Sequence, residues 1–274
     1  MCDTCGCNVT PGNRHLVTGD GKLAKTASGH EAVTVLQGLL SENDHQASHN
    51  REHFDSHGVL AINLMSSPGA GKTALLEATI EALGERFSIG VIEGDLETEN
   101  DAERIRAKGV PAVQIATGSA CHLDAHMVHD ALHELALSEL DIVFVENVGN
   151  LVCPASFDLG QHVNVTLLSC TEGEDKPAKY PVMFRAADLV VVTKSDLLEV
   201  LGDFEPAKAE AHLRKLASQV PFHSLSARSG EHMDDWFEWI AGEIDRQAER
   251  RTDGQTRRPA VQADGARLHS HPAP

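Results

Sequence analysis

Residues 59–73 read VLAINLMSSPGAGKT. The opening run, 59–66, is apolar almost throughout and of strand length, the pattern of a strand covered on both faces. It leads into Ser66-Ser67-Pro68-Gly69-Ala70-Gly71-Lys72-Thr73, and an amphipathic stretch over 71–84 follows. Strand, glycine-rich turn and helix in that order match the phosphate-binding loop G-x-x-x-x-G-K-[ST], with Ser66 where glycine is usual. Gly69 and Gly71 allow the chain to curl so that successive N–H groups, from Gly69 to Ala74, face phosphate oxygens at the positive end of the helix. Lys72 is placed to reach the β- and γ-phosphates, and the Thr73 hydroxyl to ligate Mg²⁺.

Further apolar runs repeat outward from this loop. Strands are expected near 88–93, 111–115, 141–147, 162–169, 188–193 and 221–225, and helices near 42–57, 99–108, 120–138, 205–218 and 231–248. Alternating buried strands and amphipathic helices predict an α/β fold: a doubly wound, mostly parallel sheet with helices on both faces. Three segments are expected: an N-terminal arm over 1–41, with a short helix near 31–40; a nucleotide-binding domain over 42–248; and a polar, disordered tail over 249–274. No internal repeat is visible.

In such sheets ligands sit beyond the C-terminal ends of the strands. Two acids fall there: Asp95 in Glu93-Gly94-Asp95, placed to hold Mg²⁺ through water, and Glu146 in Glu146-Asn147-Val148-Gly149, placed to orient the metal shell. The Gly149 N–H is expected to sense the γ-phosphate. Thr193-Lys194-Ser195-Asp196 follows the strand DLVVVT and is similar to the guanine motif N-K-x-D, with Thr for Asn. The Asp196 carboxylate can accept from two guanine N–H groups, a pattern adenine lacks, and the wrong base leaves the acid unpaired. Lys194 can lay its stem along the base. Ser226-Ala227-Arg228 is placed like the S-A-K loop that also touches guanine. The simpler reading of each segment is an ordinary strand-end acid or a helix-capping turn.

Lys plus Arg number 23 against 41 Asp plus Glu, a net charge of −18, with 16 His, 6 Cys and only 4% aromatic residues. That balance excludes sequence-independent binding to nucleic acid and disfavours anionic membranes. No run reaches membrane-spanning length and no signal-peptide core is present, so a reduced, cytoplasmic protein is expected. Three of the cysteines form Cys2-Asp3-Thr4-Cys5-Gly6-Cys7, thiolates close enough to wrap one ion, Ni²⁺ in a square-planar set or Zn²⁺ in a tetrahedral one. Unmetallated reactive thiols are the plainer alternative. Cys121-His122 and Cys153 leave neighbouring strand ends and can converge near the nucleotide. Because adjacent residues 121 and 122 point differently, one protomer is expected to supply an incomplete site that a twofold partner completes. Cys170 is expected in the core. Two histidine rows, His45/His49/His53/His57 and His122/His126/His129/His133, each fall on one helix face and read either as solvated surface or as weak metal sites. His269 and His271 are weaker candidates still.

Together the segments MCDTCGC, NLMSSPGAGKTALLE, GVIEGDLETENDAERI, TGSACHLDA, VENVGNLVCPASFDLG, SCTEGEDKPAKYP and VVVTKSDLL resemble the nickel-incorporation GTPases of [NiFe]-hydrogenase maturation, the HypB family. The resemblance covers about residues 42–240 and the N-terminal cysteines. It implies a P-loop NTPase of the SIMIBI class that uses GTP/GDP and Mg²⁺, forms a nucleotide- or metal-promoted homodimer, and delivers nickel. It maps a high-affinity nickel site onto Cys2, Cys5 and Cys7, and a nickel or zinc site onto Cys121, His122 and Cys153. It places the nucleotide loop at Gly69 to Thr73 and the metal and switch acids at Asp95 and Glu146. Partners implied are a HypA-type nickel carrier and the hydrogenase large subunit. Thr193 and Ala116 depart from the commoner residues, and the long His-rich tract of some members is absent. No arginine finger or water-orienting residue is evident, so slow intrinsic turnover is expected. Rival readings are a metallochaperone GTPase for urease or a zinc enzyme, a metal-storage protein, and a kinase on the same fold.

Overall fold

The computed structural model describes residues 30–95, 100–118, 120–216 and 218–252, with side chains from residue 40 onward and without that of Asp95. Cys2, Cys5, Cys7, His269 and His271 lie outside the described residues. Seven strands form one sheet: β1 (Leu60–Ser66), β2 (Ile89–Asp95), β3 (Ala112–Ala116), β4 (Ile142–Glu146), β5 (Val163–Ser169), β6 (Leu189–Thr193) and β7 (Phe222–Ser224). Their order is β3-β2-β4-β1-β5-β6-β7, and every pairing is parallel. The chain leaves β1 toward β2 on one side, while β5, β6 and β7 build the other. The crevice therefore opens beyond the C-terminal end of β1, where the phosphate loop lies.

Alternation along each central strand divides the core in two. Leu60, Ile62, Leu64, Phe144, Val165 and Val191 face one side, packed on α2 (Lys72–Leu83) and on Trp236 and Ile240 of α9 (Met233–Thr252). Ala61, Val143 and Val145 face the other, under Phe54 of α1 (His30–His57) and Val128 and Leu132 of α4 (Ala125–Leu132). Met65, Leu168, Val190 and Val192 meet α6 (Pro181–Ala186) and α8 (Pro206–Lys215). Fully buried Trp236 donates its Nε1–H to Thr79 Oγ1 at 2.8 Å, so its polar edge costs nothing. The expected fold is present, and no described helix is long and apolar enough to cross a membrane.

Several elements differ from the sequence expectation. Helix α1 runs unbroken from His30, so the expected boundary between residues 41 and 42 falls inside it. α9 continues to Thr252, four residues into the expected tail. The expected helix over 120–138 starts only at Ala125, because Asp124 caps it by accepting from the Met127 N–H at 2.9 Å. α3 spans Asn100–Arg106. Short helices α5 (Lys176–Lys179), α6 and α7 (Leu198–Leu201), the first two started by prolines, were not anticipated.

Candidate nucleotide and metal site

Two adjoining cavities flank the loop between β1 and α2. One of about 380 Å³ is lined by Gly69, Lys72, Thr73, Glu93, Glu146 and Gly149; the other, about 230 Å³, by Thr193, Lys194, Asp196, Ser226 and Ala227. Gly71 and Ala74 line both. The split fits a phosphate chain in one and a base in the other.

In the first cavity, buried Lys72 donates from Nζ to Ser66 Oγ at 3.2 Å and lies 3.7 Å from Glu146 Oε1. The serine at the first motif position is thus a parking acceptor for the lysine. Thr73 Oγ1 donates to the same Glu146 oxygen at 3.1 Å. Gly69 and Gly71 have φ of 74° and 99°, the left-handed conformation glycine tolerates. Gly149 packs directly on the loop: a Cβ there would stand 2.7 Å from Pro68 Cα.

Glu93 was not singled out from the sequence. It sits on β2 in register with Glu146 on β4, both buried. Burial and the facing Glu146 push the Glu93 carboxyl up to about 10. Burial also raises Glu146, offset by Lys72, by a hydrogen bond from Glu93 and by Thr73. Burial and mutual repulsion therefore favour a proton shared between the two carboxyls over full ionisation of both. No linear signal sets Glu93 apart, because it meets Glu146 only through the β2–β4 pairing. Glu93 Oε1 and Glu146 Oε2 are buried and reached by no N–H or hydroxyl donor. Two facing carboxyls with only each other to share a proton, beside a threonine hydroxyl, are an oxygen donor set suited to Mg²⁺. Asp95 closes β2 opposite Ala116, and its side chain is outside the described residues.

In the second cavity Asp196 accepts from buried Ser226 Oγ at 2.6 Å. Lys194 adopts φ 63° and donates from Nζ to the Gly69 carbonyl at 2.8 Å, which draws its stem across Gly71. Thr193, the departure from the asparagine of the motif, is buried and donates from Oγ1 to the Ala70 carbonyl at 2.6 Å. The hydroxyl thus braces the phosphate loop directly.

Cys121, His122 and Cys153 meet within one chain: each offers a ligand atom within 4.8 Å of the others. Cys121 Sγ is 3.2 Å from Cys153 Sγ and 3.8 Å from His122 Nδ1. This corrects the expectation that residues 121 and 122 diverge; they lie in a turn before α4, where the backbone is not helical. His122 is fully buried, stacked on Phe157 at 4.0 Å, with no hydrogen-bond partner at Nε2. Burial pushes its pKa down to about 4, so the ring is neutral and ligand-competent at pH 7. Burial and the adjacent Cys153 push the Cys121 thiol up to about 11. His122 accordingly leaves the surface row to which its spacing assigned it. Cys170 is buried, with Sγ 3.0 Å from the Lys194 carbonyl.

Asn147, immediately after Glu146, joins the two sites. Its Oδ1 accepts from the N–H of Leu123 at 3.2 Å, one residue after His122, and its Nδ2 donates to Asn63 Oδ1 on β1 at 3.2 Å. On the other side, a Cβ at Gly94 would stand 2.8 Å from the Leu123 side chain.

Residues 60–224 match the family described as CobW/HypB/UreG, nucleotide-binding domain. The chain is 51% identical over 232 residues to the hydrogenase maturation factor HypB of Azotobacter vinelandii, covering 84% of this chain and 76% of that protein. Over 225 residues it is 48% identical to HypB of Escherichia coli K12, covering 81% and 77%. Among solved structures, HypB of Helicobacter pylori in complex with nickel superposes with a TM-score of 0.71 at 39% identity, over 78% of this chain and 97% of that one. HypB of Archaeoglobus fulgidus gives 0.70 at 38% identity, over 75% and 100%. With its nucleotide-binding domain matched and about half its residues identical to these relatives, the chain belongs to the HypB family of hydrogenase maturation factors.

Proposed function

We propose that this chain is a GTP-hydrolysing nickel metallochaperone for [NiFe]-hydrogenase maturation. The observation that carries this reading is the placement of the Cys121/His122/Cys153 cluster beside the phosphate cavity, with Asn147 bonded to the metal-bearing loop and adjacent in sequence to Glu146. Guanine is the base that suits Asp196, whose carboxylate faces the second cavity. Lys72, Ser66 and the loop amides position the phosphates. Mg²⁺ would be held by Thr73, with Glu146, Glu93 and Asp95 around its shell, and supplies neutralisation of charge on the phosphates. A bound cation there favours full ionisation of the Glu93–Glu146 pair, which ties the two strand ends to the nucleotide state.

Nickel is the cargo, and zinc suits the same donors. Three donors from one chain leave a coordination position for water or a second protomer, in keeping with a nucleotide- or metal-promoted homodimer. A movement at Glu146–Gly149 on GTP turnover passes through Asn147 to Leu123 and loosens the ion. The ion then goes to a HypA-type carrier and the hydrogenase large subunit, in the cytoplasm. Turnover is slow, because positioning and charge stabilisation act here without an evident arginine finger. The rival storage role needs no such linkage.

The test is nickel affinity of the full chain with GDP and with a non-hydrolysable GTP analogue. Affinities that differ in the natural chain and converge in Asn147→Ala support the linkage; equal affinities in the natural chain overturn it. In a deletion strain, Lys72→Ala is expected to leave nickel-dependent hydrogenase activity unrestored, and restoration overturns the GTP-driven reading.

A further inference from the structure

The two histidine rows do not stay separate. α1 packs along α4, and the i, i+4 pair His49/His53 on one helix meets the i, i+4 pair His129/His133 on the other. Ring centroids are 4.6 Å apart for His49–His53, 5.0 Å for His49–His129, 5.7 Å for His53–His129 and 4.7 Å for His129–His133. His49, His53 and His129 each offer a ring nitrogen within 4.8 Å of the others, and His133 Nε2 lies 3.2 Å from His129 Nε2. We propose that His49, His53, His129 and His133 form a further metal site, separate from the cysteine clusters, that binds a divalent first-row transition ion through imidazole alone.

The spacing suits an ion. Two nitrogens bonded to one tetrahedral ion at about 2.05 Å stand roughly 3.3 Å apart, close to the His129–His133 separation. The remaining donors close the gap by small rotations, and His49 and His133 are exposed enough to make them.

The hydrogen bonds behind the cluster set one ring in advance. Buried Asn50 donates from Nδ2 to the carbonyls of Ala125 at 2.7 Å and Leu159 at 3.0 Å, so both of its amide protons are engaged. Its Oδ1 must accept, and it lies 3.1 Å from His129 Nδ1. His129 therefore carries its proton on Nδ1 and turns the Nε2 lone pair into the cluster. A carbonyl behind a ring nitrogen is the outer-shell arrangement that orients metal-bound histidines.

Charge points the same way. Burial and then the surrounding histidines hold His53 and His129 below the ordinary histidine range, so both are neutral at pH 7. Neutral imidazole is the ligating form, and all-nitrogen sets prefer Ni²⁺, Cu²⁺ or Zn²⁺ over Mg²⁺ and Ca²⁺. The inference does not depend on nickel delivery: a protein with no delivery role would still bind this ion.

The test is the number of Ni²⁺ ions bound per full-length chain by equilibrium dialysis, repeated with Zn²⁺. His53→Gln/His129→Gln is expected to bind one ion fewer than the natural chain, whereas His45→Gln/His57→Gln, on the flanks of the same α1 row, binds the natural number. Equal numbers in all three, or equal losses in both variants, overturn the proposal. The fold is checked by GDP affinity. Should the cluster variant fail to fold, the natural chain still decides: Zn²⁺ is expected to protect His129 and His133, and not His45, from diethyl pyrocarbonate, and uniform modification with and without Zn²⁺ overturns the site.

Discussion

Replacing Glu93 by Gln should make the nucleotide-free protein more stable at alkaline pH, and the size of the effect follows from the buried pair. Folding lifts the Glu93 carboxyl from 4.5 to about 10, through burial and the facing Glu146. A pKa raised in the folded state means that the native protein keeps a proton the unfolded chain releases. The stability this group contributes is complete below pH 4.5 and falls as pH rises toward 10. Within that window the slope is about −1.4 kcal/mol per pH unit for one proton, or roughly 3 kcal/mol between pH 6 and pH 8. Neighbouring groups that relax will reduce that figure. Gln keeps an N–H to donate to Glu146 as the protonated acid does, and it has no proton to lose. Urea denaturation at pH 6 and pH 8, with a chelator and without nucleotide, measures the difference. The natural chain should lose up to about 3 kcal/mol more than Glu93→Gln over that interval, while titrating groups not coupled to Glu93 cancel between the two. Equal losses would refute the shared proton. Saturating Mg²⁺·GDP should flatten the natural chain's slope, because the cation supports both carboxylates ionised.

Other expectations are more direct. Gly149→Ala places a Cβ 2.7 Å from Pro68 Cα, and overpacking of that kind costs about 1–3 kcal/mol; GDP should bind roughly tenfold more weakly with the fold retained, and unchanged affinity by titration calorimetry would contradict the contact. Thr193→Val leaves the Ala70 carbonyl without its 2.6 Å donor, a loss of about 1–3 kcal/mol; guanine nucleotide affinity should fall in Val and recover in Ser, measured by fluorescent-nucleotide binding. Cys121 and Cys153, with sulfurs 3.2 Å apart, should form an intramolecular disulfide under mild hydrogen peroxide, two thiols yielding their hydrogens to water. Bound Ni²⁺ should block that bridge in peptide mapping, and a bridge that forms equally with Ni²⁺ present would place the ion elsewhere.

Much of this was legible in the chain because the informative patterns are local. The run 59–73 contains both a buried strand and the turn chemistry that must follow it, and the TKSD and SAR segments each follow their own strand. What escaped the sequence depends on register and packing. Glu93 and Asp95 are equally acidic in the linear text, and only the pairing of β2 with β4 sets Glu93 against Glu146. His122 looked like the first member of a helical row until Asp124 capped the helix after it. The two histidine rows were each visible, but their meeting is a property of the α1–α4 packing, which no spacing within either row encodes. Thr193 read as a weakened motif because its acceptor, the Ala70 carbonyl, is distant in sequence.

The short helix α4 has one more consequence. Its eight residues span about 12 Å, with the Cys121–His122 turn ahead of its first N–H groups and His129 and His133 at its closing carbonyls. Peptide dipoles make the first end weakly positive and the second weakly negative. A divalent ion held by two thiolates and a neutral ring adds no net charge at the positive end. The same ion among four neutral imidazoles brings its full double charge to the negative end, where the dipole favours it. The two ends of one helix therefore reward opposite kinds of coordination complex, and lengthening α4 or removing its Asp124 cap should alter how ions partition between them.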